Sequence, residues 1–316
     1  MPGTIIITGG NQGLGFGAAK ALRRLDPKAQ LVLACRDETR GREAAARLRG
    51  KGPAPISLPL DLASLASVRA FAAGFADQKL PPLRALVCNA GLQVIAKPEL
   101  SRDGFELTFA VNHLAHFLLA NLMLPHIEPG GRIVFVSSGT HDPARKTPLP
   151  APRWTTAEAL AQIADDGESF GKAGRRAYAM SKLCNVFCVH EFARRLEAHK
   201  LPVTVLAFDP GLMPGSGLAR QYALPARLLW NSVFLLLPYF TSAASSMDRS
   251  GRHLAKLAVD PAWNGVSGRY FEARGKNKLI DAPSSDLSYD AEKARELWRA
   301  SVALAGMTPD EAVLGT

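Results

Sequence analysis

Several function classes are removed by what the sequence lacks. Its four cysteines, Cys35, Cys88, Cys184 and Cys188, show no metal-ligand spacing, so no metal centre is expected. No charged leader with an apolar core precedes the first strand, and a reducing cytoplasm is the expected location. The longest apolar run, 228–240, is broken by Asn231, Ser232 and Pro238. It falls short of the roughly 20 residues that cross a bilayer. Basic residues are also never concentrated: the formal net charge is +10, yet the arginines are scattered over amphipathic helices. No basic run interleaved with exposed aromatics marks a nucleic-acid surface.

What is present is a patterned α/β chain. Of 316 residues, 47% are hydrophobic, enough for one large core, and a single domain over 1–316 is expected. Short apolar runs at 4–8, 30–35, 56–60, 85–89, 132–138, 203–208 and 268–272 read as strands. Helical periodicity fills 13–25, 38–49, 64–78, 103–127, 176–199 and 241–258. This alternation predicts a doubly wound Rossmann-type domain, a parallel sheet of about seven strands with helices on both faces. Its ligand belongs beyond the carboxyl ends of the strands.

The polar motifs fall where that rule puts them. "TGGNQGLG" follows the first strand and opens a helix. Its Gly9, Asn11, Gln12, Gly13, Leu14 and Gly15 are read as a pyrophosphate seat, since glycine permits close backbone approach and a helix N-terminus favours negative charge. After strand two comes "ACRD". Arg36 there has the fork geometry for a 2′-phosphate, which makes NADP(H) the expected cofactor. The alternatives are a solvated Arg36 and an Asp37 that caps the next helix or takes the ribose. Asp61 with Leu62, Asn89-Ala90-Gly91 and Ser137-Ser138 close three further strands; singly, each also reads as a cap or a turn.

Tyr178 and Lys182 share a helix face one turn apart. An ammonium beside a phenol favours the phenolate, so the pair suits general acid/base work, with Ser138 placed to hydrogen-bond a substrate oxygen. In isolation such a pair is more commonly a packed tyrosine with a snorkelling lysine.

The set as a whole, TGxxxGxG at 8–15, "NAG" at 89–91, "VN" at 111–112, "VSS" at 136–138, "YAMSK" at 178–182 and "PG" at 210–211, resembles the short-chain dehydrogenase/reductase family. That resemblance implies a tetrad of Asn112, Ser138, Tyr178 and Lys182. The tyrosine would be the acid/base, the serine would position the carbonyl, and the lysine would bind the nicotinamide ribose. The asparagine would hold a relay water, and Pro210 and Gly211 would line the nicotinamide. Within the family, "VNHLAHFLLANLMLP", "ACRD" and "YAMSKLCNV" resemble the branch that contains light-dependent protochlorophyllide reductases and retinol-dehydrogenase-like enzymes. That branch implies NADP(H) and a large hydrophobic substrate. Two departures stand out: Leu212 occupies the position of those reductases' cysteine, and Gly215 replaces the usual threonine, with Ser216 beside it.

Two segments are candidates for the substrate walls. The first is the long insert 139–177, with a capping box at Thr155 and Glu158; the second is the apolar lid 212–240. His141, Leu212, Met213, Trp230 and Phe234 are the substrate-contacting candidates, His141 with the alternative of an exposed loop residue. A peripheral membrane contact or an oligomer interface are the lid's alternative uses. Helices 103–127 and 176–199 are faces on which relatives often dimerise, and dimer and monomer both stay open. The expected activity is hydride transfer between NADP(H) and a carbonyl/hydroxyl carbon. The alternatives are reduction of a ring C=C bond and an NADP(H)-sensing binding protein.

Overall fold

The computed structural model describes residues 3–163, 167–214, 245–275 and 277–315. Its strands are β1 (Thr4–Thr8), β2 (Gln30–Cys35), β3 (Ile56–Pro59), β4 (Leu83–Cys88), β5 (Ile127–Val136), β6 (Thr204–Asp209), β7 (Arg269–Arg274) and β8 (Lys278–Ala282). They form one sheet in the order β3-β2-β1-β4-β5-β6-β7-β8. Every neighbouring pair is parallel except β7 with β8, which is antiparallel. The expected seven strands are therefore eight. Polar Lys278 and Asp281 interrupt the apolar run that would have marked β8, as befits an edge strand. Strand order reverses between β1 and β4, which opens the ligand crevice of a doubly wound sheet at that point.

Alternation along each strand feeds two cores. Ile6 of β1 and Phe135 of β5 face one layer, while Ile5, Ile7, Val134 and Val136 face the other. The second layer holds helices α1 (Gly13–Leu25), α2 (Glu38–Arg47) and, under our numbering, α7 (Met247–Val259). Gly17 and Gly251 let the backbones of α1 and α7 touch: a methyl on Gly17 would stand 2.6 Å from the Met247 carbonyl oxygen. The first layer holds α3 (Leu65–Asp77) and α4, a continuous helical stretch over Leu107–His126. It also holds α5 (Ala157–Leu160), α6 (Phe170–Ala198) and α8 (Ala291–Leu304). Local caps set several helix starts: Asp37, Ser64, Ser246 and Asp290 each accept a first-turn N–H. Helix α4 is apolar and long enough to cross a membrane, but it is 89% buried inside the fold.

The C-terminal helix was not among the periodic stretches read from sequence. Its Trp298 stacks edge-on against Phe117 of α4 at 4.9 Å and Phe192 of α6 at 4.8 Å. The Arg195 guanidinium lies 4.5 Å over the same indole and donates to the carbonyls of Leu314 and Gly315. Residues from 298 to 315 thus roof the helical face between α4 and α6, the place where the sequence left dimerisation open.

The insert is stitched down along much of its length. Trp154 packs edge-on against Phe187 of α6 at 5.3 Å. The Ala157 N–H donates to Glu296 of α8, and the Glu106 N–H donates to Ala161. The N-cap of α5 is Thr156 and not Thr155, its hydroxyl accepting from the Ala159 N–H. The last eight residues of the insert, from Phe170, already belong to α6.

Candidate active site

The nucleotide side of the crevice is shaped by small residues. Gly9 and Gly13 hold φ of +63° and +54°, a region that side chains disfavour. A methyl on Gly15 would lie 2.6 Å from both the Asn89 amide nitrogen and the Gly9 carbonyl oxygen. Gln12, the N-cap of α1, makes no side-chain cap bond, and no acidic residue occupies the first turn. Asn11, Gln12 and Leu14 therefore sit in a narrow cradle at an electropositive helix N-terminus, which fits a dinucleotide pyrophosphate. Thr8 locks the neighbouring turn: its Oγ1 accepts the N–H groups of Asn89 and Ala90, each at 2.9 Å, and Asn89 Nδ2 donates to the Thr8 carbonyl at 2.8 Å.

At the β2 end, Arg40 is paired with Asp37 at 3.3 Å, and Asp37 is the helix cap. Arg36 is exposed and forms no ion pair among the described residues, so its guanidinium is the one open to a phosphate. Asp61 is only partly available: it accepts from the Ala63 N–H at 3.1 Å and pairs with Arg102 at 3.3 Å. Leu62 is buried in the core below it.

The chemical centre lies where β4, β5, α4 and α6 meet. Tyr178 and Lys182 are 8% and 3% exposed, and the Lys182 ammonium lies 5.6 Å from the Tyr178 ring centroid. That ammonium donates to the Val136 carbonyl at the end of β5 at 3.0 Å. Burial pushes its pKa down to about 8, opposed by the nearby Asp209 carboxylate. A methyl on Gly91 would come within 3.3 Å of Asn112 Oδ1 and 3.5 Å of Lys182 Nζ, so Gly91, Asn112 and Lys182 converge. The Ser137 hydroxyl donates to the Lys182 carbonyl at 2.8 Å, binding the β5 end to α6. Ser138, half-buried, is the next residue and caps a short 3₁₀ turn.

Asn112 sits in a π turn, Ala110–Leu114, inside α4. Its side chain accepts from the Leu92 N–H at 2.8 Å and donates to the Leu92 carbonyl and to Ser181 Oγ. It brackets α4 between the Gly91 turn and α6.

Past β6 the site rests on charge. Asp209 is buried: Oδ1 accepts from the Gly211 N–H at 2.8 Å and Oδ2 from the Tyr270 hydroxyl at 3.3 Å. This fixes the turn of Pro210 and Gly211, Gly211 having a φ of +76°. Arg145 of the insert lies 3.8 Å from Asp209, 3.5 Å from Asp142 and against Glu272. Burial raises the Asp209 pKa, countered by the Gly211 N–H and by Arg145. Sequence reasoning passed over Asp209, Arg145 and Glu272. The one local signal was an acid at a strand end directly before the Pro-Gly pair.

Among the substrate candidates, His141 is corrected. It is fully buried, Nδ1 bonding the Ser138 carbonyl at 2.8 Å and Nε2 accepting from the Ser285 N–H at 3.0 Å. Neither ring nitrogen is left for a substrate, and the residue is not an exposed loop histidine either. Met213 packs against the α1/α7 core, whereas Leu212 is 40% exposed. Gly215, Ser216, Trp230, Phe234 and the rest of the expected lid lie outside the described residues. Cys184 and Cys188 are buried on α6, as small core residues.

A family model described as short chain dehydrogenase matches residues 3–146. Protochlorophyllide reductase A, chloroplastic, of Oryza sativa subsp. japonica is 34% identical across 96% of this chain and 81% of its own length. The chain belongs to the short-chain dehydrogenase family. Protochlorophyllide reductase of Avena sativa is likewise 34% identical, over 96% of this chain and 99% of its own length. A crystal structure of an uncharacterized protein from Mycobacterium Paratuberculosis superimposes with a TM-score of 0.68 at 27% identity, covering 97% of this chain and 96% of that one. The Gly-rich turn follows β1, and Lys182 is tied to the end of β5, across the switch point between β1 and β4.

Proposed function

We propose that the protein is an NADP(H)-dependent reductase acting on an unsaturated bond, foremost a carbonyl, of a bulky hydrophobic substrate. The observation that carries this reading is the convergence of Tyr178, Lys182, Asn112 and Gly91 beyond the carboxyl ends of β4 and β5. The glycine cradle and Arg36 would hold the cofactor, whose dihydronicotinamide supplies a hydride when bound. Tyr178 gives a proton to the substrate oxygen, the Lys182 ammonium stands beside its ring, and Ser138 donates a hydrogen bond as charge grows there. Leu212 supports a carbonyl substrate, since no thiol stands beside the Pro-Gly turn as a second proton donor.

The comparisons weigh toward a second reading more than toward this one. The relatives named above, 34% identical over nearly the whole chain, are protochlorophyllide reductases, which supports reduction of a ring C=C bond. Both readings use the same cofactor seat and the same tyrosine. A cytoplasmic location and a hydrophobic small-molecule partner are part of this proposal. A membrane contact of the apolar lid and a homo-oligomer are further open uses of the same surfaces.

The test measures NADPH oxidation by the purified protein with hydrophobic aldehydes and ketones in the dark, then with protochlorophyllide under illumination, Tyr178→Phe serving as control. Dark, tyrosine-dependent turnover of a carbonyl supports the first reading. Turnover only with protochlorophyllide in light supports the second. NADPH binding without either leaves a cofactor-sensing protein.

A further inference from the structure

The structure assigns to His116, in the middle of α4, a role that no motif gave it. We infer that His116 is a positioning residue that ties the nucleotide-side turn to the main-chain carbonyl of Asn112, as a neutral imidazole with its proton on Nδ1.

The assignment follows from counting donors and acceptors. Thr8 Oγ1 accepts two N–H groups, those of Asn89 and Ala90, each at 2.9 Å, and these occupy both hydroxyl lone pairs. The Thr8 proton must then point elsewhere. His116 Nε2 lies 2.9 Å away, whereas the Val87 carbonyl is at 3.4 Å. With Nε2 accepting, the ring proton resides on Nδ1, which faces the Asn112 carbonyl at 3.3 Å. A carbonyl accepts only, so the tautomer is fixed from both ends. A doubly protonated ring would aim an N–H at a hydroxyl with no lone pair left. Burial agrees, pushing the His116 pKa down to about 3, and the Lys182 ammonium acts in the same direction.

The carbonyl being held is no ordinary helix carbonyl. It belongs to the π turn, where the Ala115 N–H reaches back to Ala110 and regular pairing lapses. With the Asn112 side chain bracketed by Leu92 and Ser181, this oxygen is the acceptor through which Asn112 can serve proton delivery. His116 therefore sets its direction and links that direction to the turn at Asn89. This last step rests on the reading under Proposed function; the tautomer does not.

The same helix supplies the rescue variant. Asn121, five residues on, donates its amide to the carbonyl four residues before it, Phe117, at 2.9 Å. His116→Asn should likewise reach Asn112 but not Thr8, while His116→Leu fills the space without either bond. We expect His116→Leu to bind NADPH within about twofold of wild type yet lose about tenfold in kcat, the scale of one hydrogen bond. His116→Asn should recover most of that loss. Equal kcat in all three proteins overturns the proposal, and so does a loss in the leucine variant confined to NADPH affinity.

Nitrogen-15 spectra of histidine-labelled wild type give a readout independent of turnover, His116 being assigned by difference from the asparagine variant. An Nδ1–H tautomer that does not titrate between about pH 5 and 9 supports the assignment. An Nε2–H tautomer or a cation in that range overturns it. If the wild type turns over nothing, the functional reading fails while the spectra still decide the placement of the ring. If His116→Leu does not fold, the asparagine variant and the spectra carry the test.

Discussion

The carboxyl edge of the sheet is built in two different ways on its two sides. Around β1 and β4 the contacts are steric and neutral: Gly15 leaves no room for a methyl, and Thr8 satisfies Asn89 and Ala90 with one hydroxyl. Around β6 and β7 the contacts are ionic: Arg145 collects Asp142, Asp209 and Glu272 behind the Pro210–Gly211 turn. The short-chain dehydrogenase model matches 3–146, so it covers the first side and stops just past Arg145. One side is thus fixed by shape and the other by charge. Close backbone approach to a pyrophosphate is a matter of shape, whereas the Pro210–Gly211 turn needs only to be held in place, and this chain holds it with buried charge.

Changes on the two sides should separate chemistry, binding and rigidity. The largest effect belongs to Tyr178→Phe: kcat should fall by about 10²–10⁴, with NADPH affinity within about twofold, read by single-turnover kinetics and fluorescence titration. Next, Arg36→Ala should weaken NADPH by about 10–100-fold, the worth of a charge-assisted phosphate contact, and leave NADH unchanged. An equal loss for both cofactors would show Arg36 to be a solvated loop residue after all.

On the ionic side, Arg145→Ala should lower stability by about 1–3 kcal/mol, below the usual cost of breaking a buried pair because the arginine is one-third exposed to solvent. The denaturation midpoint reports this directly. Arg145→Lys should restore only part, because an ammonium cannot fork between carboxylates. A further effect comes from pH. Since burial lowers the Lys182 pKa to about 8, turnover should decline as pH rises through about 8 and the ammonium is lost. Stability should move the opposite way. The unfolded chain still binds that proton up to about pH 10.4, so this group adds stability between about pH 8 and 10.4 and none below. Parallel loss of both quantities would mean that Lys182 is not the titrating group.

Legibility in the sequence follows the same division. Strands β1 to β7, most helices, the Asp37 cap, the glycine turn and the Tyr178–Lys182 pair were readable because each depends on neighbours within a turn or on period-two and period-3.6 patterning. Their convergence also follows from one topological rule about strand ends. Arg145 with Glu272 was not readable, for the two lie 127 positions apart and a charge in a proline-rich insert looks like solvated surface. His141 was misread for the same reason: its partner, Ser285, comes from a loop 144 positions on. Helix α8 escaped because its burial is against α4 and α6, and β8 because its edge position keeps polar residues in the strand.

The roof over α6 carries a consequence for the order in which the protein is made. On a ribosome, Tyr178 and Lys182 emerge long before Trp298, and until then the rings of Phe117 and Phe192 face water without the indole that covers them. Until the segment 298–315 is made, the chain carries an uncovered apolar face.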